Sequence, residues 1–320
     1  ARLVGSEMCI RDRDLVIANP IVTIRPRYAG TRPTIRYDYH EARTSQALQV
    51  PLTIESKECT VEGIRFVLDQ NGASVPMAAL LFRAVGPMKM TVHRCEFIQA
   101  DPTGSEQKRM SSVLVESRNP STLILSETCF LGFGSLGKSS DGGMVFSGAA
   151  SGGQDAVTRR GPVHIEATNC TFGPHAVFFR LEKAAPDNEG LVQLLHCSVM
   201  AGNQSVVYDV KEGADAQIEA NYSLFSRPGD PGMAGMAEGR GAVLLRRASS
   251  QGQVTYKGNE NRYHQLDSYL VVADASEETV QHLLEQLKIA KSEELDSSPW
   301  KDPLPFKDLD QLAIQTAFQV

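Results

Sequence analysis

The stretch Thr168-Asn169-Cys170-Thr171-Phe172 decides the fold, because variants of it recur along the chain. Gly63-Ile64-Arg65-Phe66, Arg94-Cys95-Glu96-Phe97, Thr128-Cys129-Phe130-Leu131, His196-Cys197-Ser198-Val199, Asn221-Tyr222-Ser223-Leu224 and Glu260-Asn261-Arg262-Tyr263 can be laid over it. The central residues Ile64, Cys95, Cys129, Cys170, Cys197, Tyr222 and Asn261 then form one anchor column. The anchor and the residue two positions on are apolar in nearly every copy, so the two side chains share one face of a strand. The residue between them is polar or charged except at Phe130.

A second β-prone run follows each anchor, at residues 78–82, 112–115, 144–146, 176–179, 205–208, 242–245 and 269–272. A third precedes it, at 59–61, 90–92, 123–125, 163–165, 192–194, 217–218 and 254–256. These runs are short, rich in β-branched and aromatic residues, and bounded by turn formers, as strands are. Three strands per unit with no helical pattern between them, at a repeat of 20–50 residues, make each unit one coil of a stack. The expectation is an all-β, right-handed, single-stranded parallel β-helix. The anchor column Ile64, Cys95, Cys129, Cys170, Cys197 and Tyr222 would form its inward ladder. At about 4.8 Å per coil, about eight coils over residues 14–274 make a rod on the order of 40 Å long.

Both ends depart from this pattern. Residues 1–13, ARLVGSEMCIRDR, match from Leu3 onward the translation of a transposon sequencing adapter and read as an artefact, with the natural N-terminus lost. Without them 29 basic residues stand against 36 acidic ones. At the other end, Val280, Leu283, Leu284 and Leu287 have helical spacing behind Ser276 as N-cap. A helix followed by the Pro299, Pro303 and Pro305 segment predicts a C-terminal cap over residues 275–320, since the end of a solenoid must be covered.

The chain's 320 residues would suggest two domains at roughly 150 residues each, but a solenoid of this length is one unit. With 42% hydrophobic and 22% charged residues, disorder and collagen-like sequence are excluded. A net charge of −6 without a Lys/Arg-rich run argues against nucleic acid as a partner, and no apolar stretch reaches the 18 residues of a membrane span.

Five cysteines remain once Cys9 is set aside, spaced one per coil without C-x-x-C. They predict neither zinc nor disulfides but reduced packing residues, and no cofactor. The connections between anchor strand and following strand are long at 100–109, 132–143 and 226–241 and short at 173–175 and 201–204. Long loops would wall a cleft whose floor carries His175, Asn203 and Gln204. The Gly-rich segment 148–161, with Asp155, Arg159 and Arg160, would reach it, and paired arginines suit a carboxylate such as that of an acidic sugar. The plainer alternative makes His175 a turn residue and pairs Asp155 with Arg159 inside its own loop. Neither a G-x-S-x-G elbow nor a recurring column of acidic residues is present.

Ile21-Val22-Thr23-Ile24, Gly30-Thr31-Arg32-Pro33-Thr34-Ile35, the Asn169-Cys170-Thr171-Phe172 element and the closing Ser298-Pro299-Trp300 and Ala317-Phe318 resemble right-handed parallel β-helix regions of large planctomycete proteins. Some of those are joined to serine/threonine kinase domains. The wider superfamily holds pectate lyases and polygalacturonases, whose activity implies a calcium-binding acidic cluster with an arginine, or an Asn-x-Asp, Asp-Asp and Gly-His-Gly set. No position here matches either, so no catalytic residue carries over. The resulting expectation is a non-catalytic region of a larger bacterial envelope or sensory protein, linked to further domains and presenting a surface to a polysaccharide or cell-envelope glycan. The alternatives are a lyase or hydrolase acting on an acidic polysaccharide, with His175 or Asp155 in proton transfer, and a structural spacer.

Overall fold

The computed structural model describes residues 7–9, 15–28, 30–38, 48–69, 76–84, 86–100, 110–132, 136–138, 144–146, 154–173, 175–183, 189–201, 205–227, 242–249, 253–264, 266, 268–273 and 294–295. All regular structure among them is β. Three parallel sheets carry all but two of the strands and have eight, ten and nine strands, here called sheets I, II and III in the order the chain visits them. One coil runs from Lys89–His93 in sheet I to Glu96–Ala100 in sheet II and Met110–Ser117 in sheet III. It then enters sheet I of the next coil at Ser121–Ser126. Each strand pairs in register with its counterpart one coil away, an arrangement consistent with a parallel β-helix.

The core is a set of stacks. Phe66, Phe97, Phe130 and Phe172 lie ring over ring at 4.8, 5.0 and 4.9 Å, with planes within 6° of parallel. These spacings equal the separation of hydrogen-bonded strands, so in-register side chains of one type stack without further adjustment. Each such pair contributes roughly 0.5–1.5 kcal/mol beyond its buried area.

The stack corrects the anchor column. Glu96, not Cys95, pairs with Cys129, so Thr128 takes the inward place next to Cys95 and Phe130 the place two positions on. Phe130, the exception to the alternation, marks that one-residue slip. Cys129 sits instead in the column of Arg65, Glu96 and Thr171, buried beside Glu96. The sixth copy slips likewise. Ser223 is inward, whereas Tyr222 is 48% exposed and is no part of the inward ladder. Ile64, Cys95, Cys170 and Cys197 do lie in the inward column, all buried.

That column is Ile64, Cys95, Thr128, Cys170, Cys197, Ser223 and Asn261, and after Ile64 every member carries a hydrogen-bonding side chain. The residue before each anchor has a left-handed backbone: Gly63, Arg94, Glu127, Asn169, His196, Tyr222 and Glu260, with φ between 48° and 64°. At this sharp turn between sheets I and II the carbonyl two residues before each anchor accepts a backbone N–H from the neighbouring coil, as Ser126 O does from Arg94 N at 3.0 Å. A carbonyl oxygen has two lone pairs, and the anchors supply a second donor. Thr128 Oγ1 donates to Ser126 O at 3.0 Å, Ser223 Oγ to Asn221 O at 3.0 Å, and Cys95, Cys170 and Cys197 thiols to the equivalent carbonyls at 3.4 to 3.5 Å. Asn261 Nδ2 donates to Ala220 O one coil back at 2.7 Å. The cysteines are therefore hydrogen-bond donors as well as filler. Cys59, Cys95, Cys129, Cys170 and Cys197 are free thiols, and burial pushes the first three up to about 12.

In sheet III two adjacent residues of a strand both enter the core, as at Ala156-Val157, Phe178-Phe179, Val207-Tyr208 and Leu244-Leu245. The residues on either side of each pair therefore face outward together. Met144–Phe146, expected here, instead pairs antiparallel with Leu136–Lys138 as a separate two-stranded sheet. The third coil's strand in sheet III is Gln154–Arg160. Met-Val-Phe has the stronger local β preference, but only 154–160 offers an inward pair in register with its neighbours.

At the open ends, Glu7–Cys9 pairs with the strand Thr34–Asp38, and Glu294–Leu295 with Arg262–His264. Unpaired strand edges accept extended chain through backbone groups whatever its sequence, which covers the pairing of the adapter-like segment. The expected helix at 276–287 and the proline segment after it lie outside the described residues.

Candidate functional site

Sheet III gathers most of the charged residues singled out from the sequence. Asp155 lies on its outer face and is held by Arg180, the Nε at 2.6 Å from Oδ2 and Nη2 at 2.9 Å from Oδ1. Thr158 Oγ1 donates to the same carboxylate at 3.0 Å and shares a 2.8 Å hydrogen bond with Ser111. Arg180 also reaches Asp209 at 2.9 Å, and Asp209 is gripped further by Arg246 and Lys211. Burial pushes the Asp155 carboxyl upward against the pull of Arg180. Burial also opposes the charge on Asp209, but Arg246 and Lys211 hold that carboxyl below its ordinary value. Asp155 thus pairs one coil away, not with Arg159 in its own segment.

Arg159 and Arg160 point to opposite sides of their strand. Arg160 is one rung of an outer column of alternating charge, Glu55, Arg83, Glu116, Arg160 and Glu182, and bonds Glu116 at 2.7 Å and Glu182 at 2.8 Å. Its donors are committed to the scaffold. Arg159 faces inward between Val115 and Leu181 and is fully buried. Its Nη2 donates to Asp215 O at 3.1 Å, Nε and Nη1 have no partner among the described residues, and burial lowers its pKa to about 10. Gly190 makes the room: a Cβ there would stand 1.3 Å from Arg159 Nη1.

His175 is also fully buried and so lines no open floor. Its Nδ1 lies 2.9 Å from Gly173 O, its Nε2 has no partner among the described residues, and burial pushes the ring down to about 4, so it is neutral at pH 7. Asn203 and Gln204 lie outside the described residues, as do most of the expected walls. Of the predicted cleft, the structure brings Asp155, Arg159 and Arg160 onto one strand but aims them into three different environments. Among the described residues, no three His, Cys, Asp or Glu side chains gather in a way that could hold a metal ion.

The exposed chemistry is elsewhere, at the left-handed corner between sheets I and II. Its side chains point into solvent: Arg94 pairs with Glu127 at 2.8 Å, and the His196 and Tyr222 rings stack at 5.2 Å with planes 27° apart. Leu195 beside them is 38% exposed. Asn169 and Asn259 are exposed at the flanks and Asn221 is half-buried. Among the described residues the side-chain amides of these three asparagines make no hydrogen bond. Sequence reasoning missed this corner because it placed Tyr222 inside. The signal available was the left-handed residue itself, natural for Gly63, Asn169 and His196 but not for Tyr222. Compared with protein-family models, curated proteins and solved structures, the chain matches none.

Proposed function

We propose that this chain is a non-catalytic, right-handed β-helix region that presents a glycan-binding surface within a larger bacterial envelope or sensory protein. Parallel crossovers wind right-handed in about 98% of cases, which supports the handedness. The observation that carries the functional reading is the engagement of every candidate catalytic group by the scaffold. Asp155 is clamped by Arg180, Arg160 stands between two glutamates, and His175 and Arg159 are sealed in the core. A proton-transfer group must reach its substrate to act, and neither His175 nor Asp155 is exposed to one. The resemblance to β-helix regions of large planctomycete proteins supports the reading of this chain as part of a larger protein.

The test is incubation of the protein with polygalacturonate and alginate, with and without calcium, followed by absorbance of unsaturated product and by reducing ends. No product is expected. Turnover that disappears on His175→Ala or Arg160→Ala would overturn the reading in favour of a lyase or hydrolase. A glycan array then separates a binding surface from a spacer.

A further inference from the structure

We infer that the corner carrying His196 and Tyr222 is the glycan-contacting site and that its ligand is an uncharged oligosaccharide, an inference that rests on the glycan-binding reading above. Seven coils place a left-handed residue at this corner; glycine, asparagine and histidine suit the conformation, and Arg94, Glu127 and Glu260 adopt it as well. A tyrosine ring there is strained, and strain of this kind is retained where the side chain serves a purpose the backbone does not. Only two of the seven carry a ring, in successive coils, and the rings meet: His196 covers one face of Tyr222. The other face of Tyr222 lies toward the next coil, where Asn259 and Glu260 stand. Tyr222 is nearly half exposed, with the His196 ring packed on one side of it.

The set is what a sugar ring requires. Its C–H face packs on an aromatic face, and its hydroxyls need donors and acceptors of modest strength, which the amides of Asn221 and Asn259 offer one coil apart and that of Asn169 two coils before Asn221. Like charges in contact disfavour binding. Glu260 at the same corner therefore argues against uronates, as does the net charge of −6. The acidic sugar expected from Arg159 and Arg160 loses its support for the same reason that those arginines are occupied.

The experiment measures binding of cellohexaose, xylohexaose, mannohexaose and hexagalacturonate to the whole chain by titration calorimetry, beside Tyr222→Asn, His196→Asn and Arg94→Ala. Asparagine suits the left-handed backbone, so the first two variants fold and melt at or above the parent temperature. The expected result is binding of at least one neutral hexasaccharide, weakened about tenfold or more in Tyr222→Asn, less in His196→Asn and unchanged in Arg94→Ala. Neutral glycan binding unaffected by Tyr222→Asn would overturn the site and leave the glycan-binding reading intact. Preference for hexagalacturonate would overturn the ligand class. Binding of no glycan on this panel or on a wider array would overturn both.

Discussion

The outer face of sheet III and the corner between sheets I and II make opposite use of polar residues. On sheet III, Asp155, Arg180 and Asp209 are buried and satisfy one another across three coils. At the corner, Asn169, His196 and Tyr222 are exposed, and only the two rings touch. Residue type alone points to the first region as the chemical one, since it holds the carboxylates and guanidiniums. Burial reverses that judgement: a charge enclosed with its counter-charge is part of the scaffold, while a side chain held outward at conformational cost is free to meet a ligand.

The comparison breaks most directly at Arg180. Arg180→Ala would leave Asp155 and Asp209 buried without their shared partner, and removal of one member of a buried pair costs about 3–5 kcal/mol. Urea denaturation would register it as a lower midpoint, and a loss below about 1 kcal/mol would show that the network is solvated rather than enclosed.

His175 adds a pH dependence of known sign. Its folded pKa lies near 4, below the ordinary value of 6.5, so the unfolded chain binds more protons between those limits. The stabilisation is complete above pH 6.5 and is lost as pH falls toward 4. The difference amounts to about 3 kcal/mol. In His175→Phe the acid side of the stability profile is expected to flatten across that window, and an unchanged slope would mean that the ring is open to solvent.

Gly190→Ala tests the interior arginine. The added Cβ displaces the Arg159 guanidinium from its place, and overpacking of this kind costs about 1–3 kcal/mol. The double variant Gly190→Ala with Arg159→Met should recover part of that loss if the two residues share one volume. The smallest effect belongs to the corner: Arg94→Ala breaks an exposed pair with Glu127 and is expected to leave the denaturation midpoint unchanged at moderate salt.

Much of the coil was legible because burial is a property of one strand against water. Phe66, Phe97 and Phe172 announce an inward face wherever the coil above happens to lie. The slips at Cys129 and Tyr222 arose where that local signal is ambiguous. Thr128 and Ser223 are small and polar, and their inward role, a second hydrogen bond to carbonyls at the turn, belongs to the backbone geometry and not to hydrophobicity. Gln154–Arg160 was taken for a loop because its inward residues are Ala156, Val157 and an arginine, a pattern that alternation does not describe.

By itself, then, the order of residues determined that the chain is built of stacked three-stranded coils with aromatic and small side chains inside, since apolar spacing within a few residues reports a face. Only the tertiary structure decided which charges neutralise one another and which side chains reach solvent. Arg160 meets Glu182 and Glu116 across 22 and 44 positions, and Arg180 meets Asp155 and Asp209 across 25 and 29. Those separations depend on how much chain each loop absorbs before the next coil begins, a quantity that no local pattern carries.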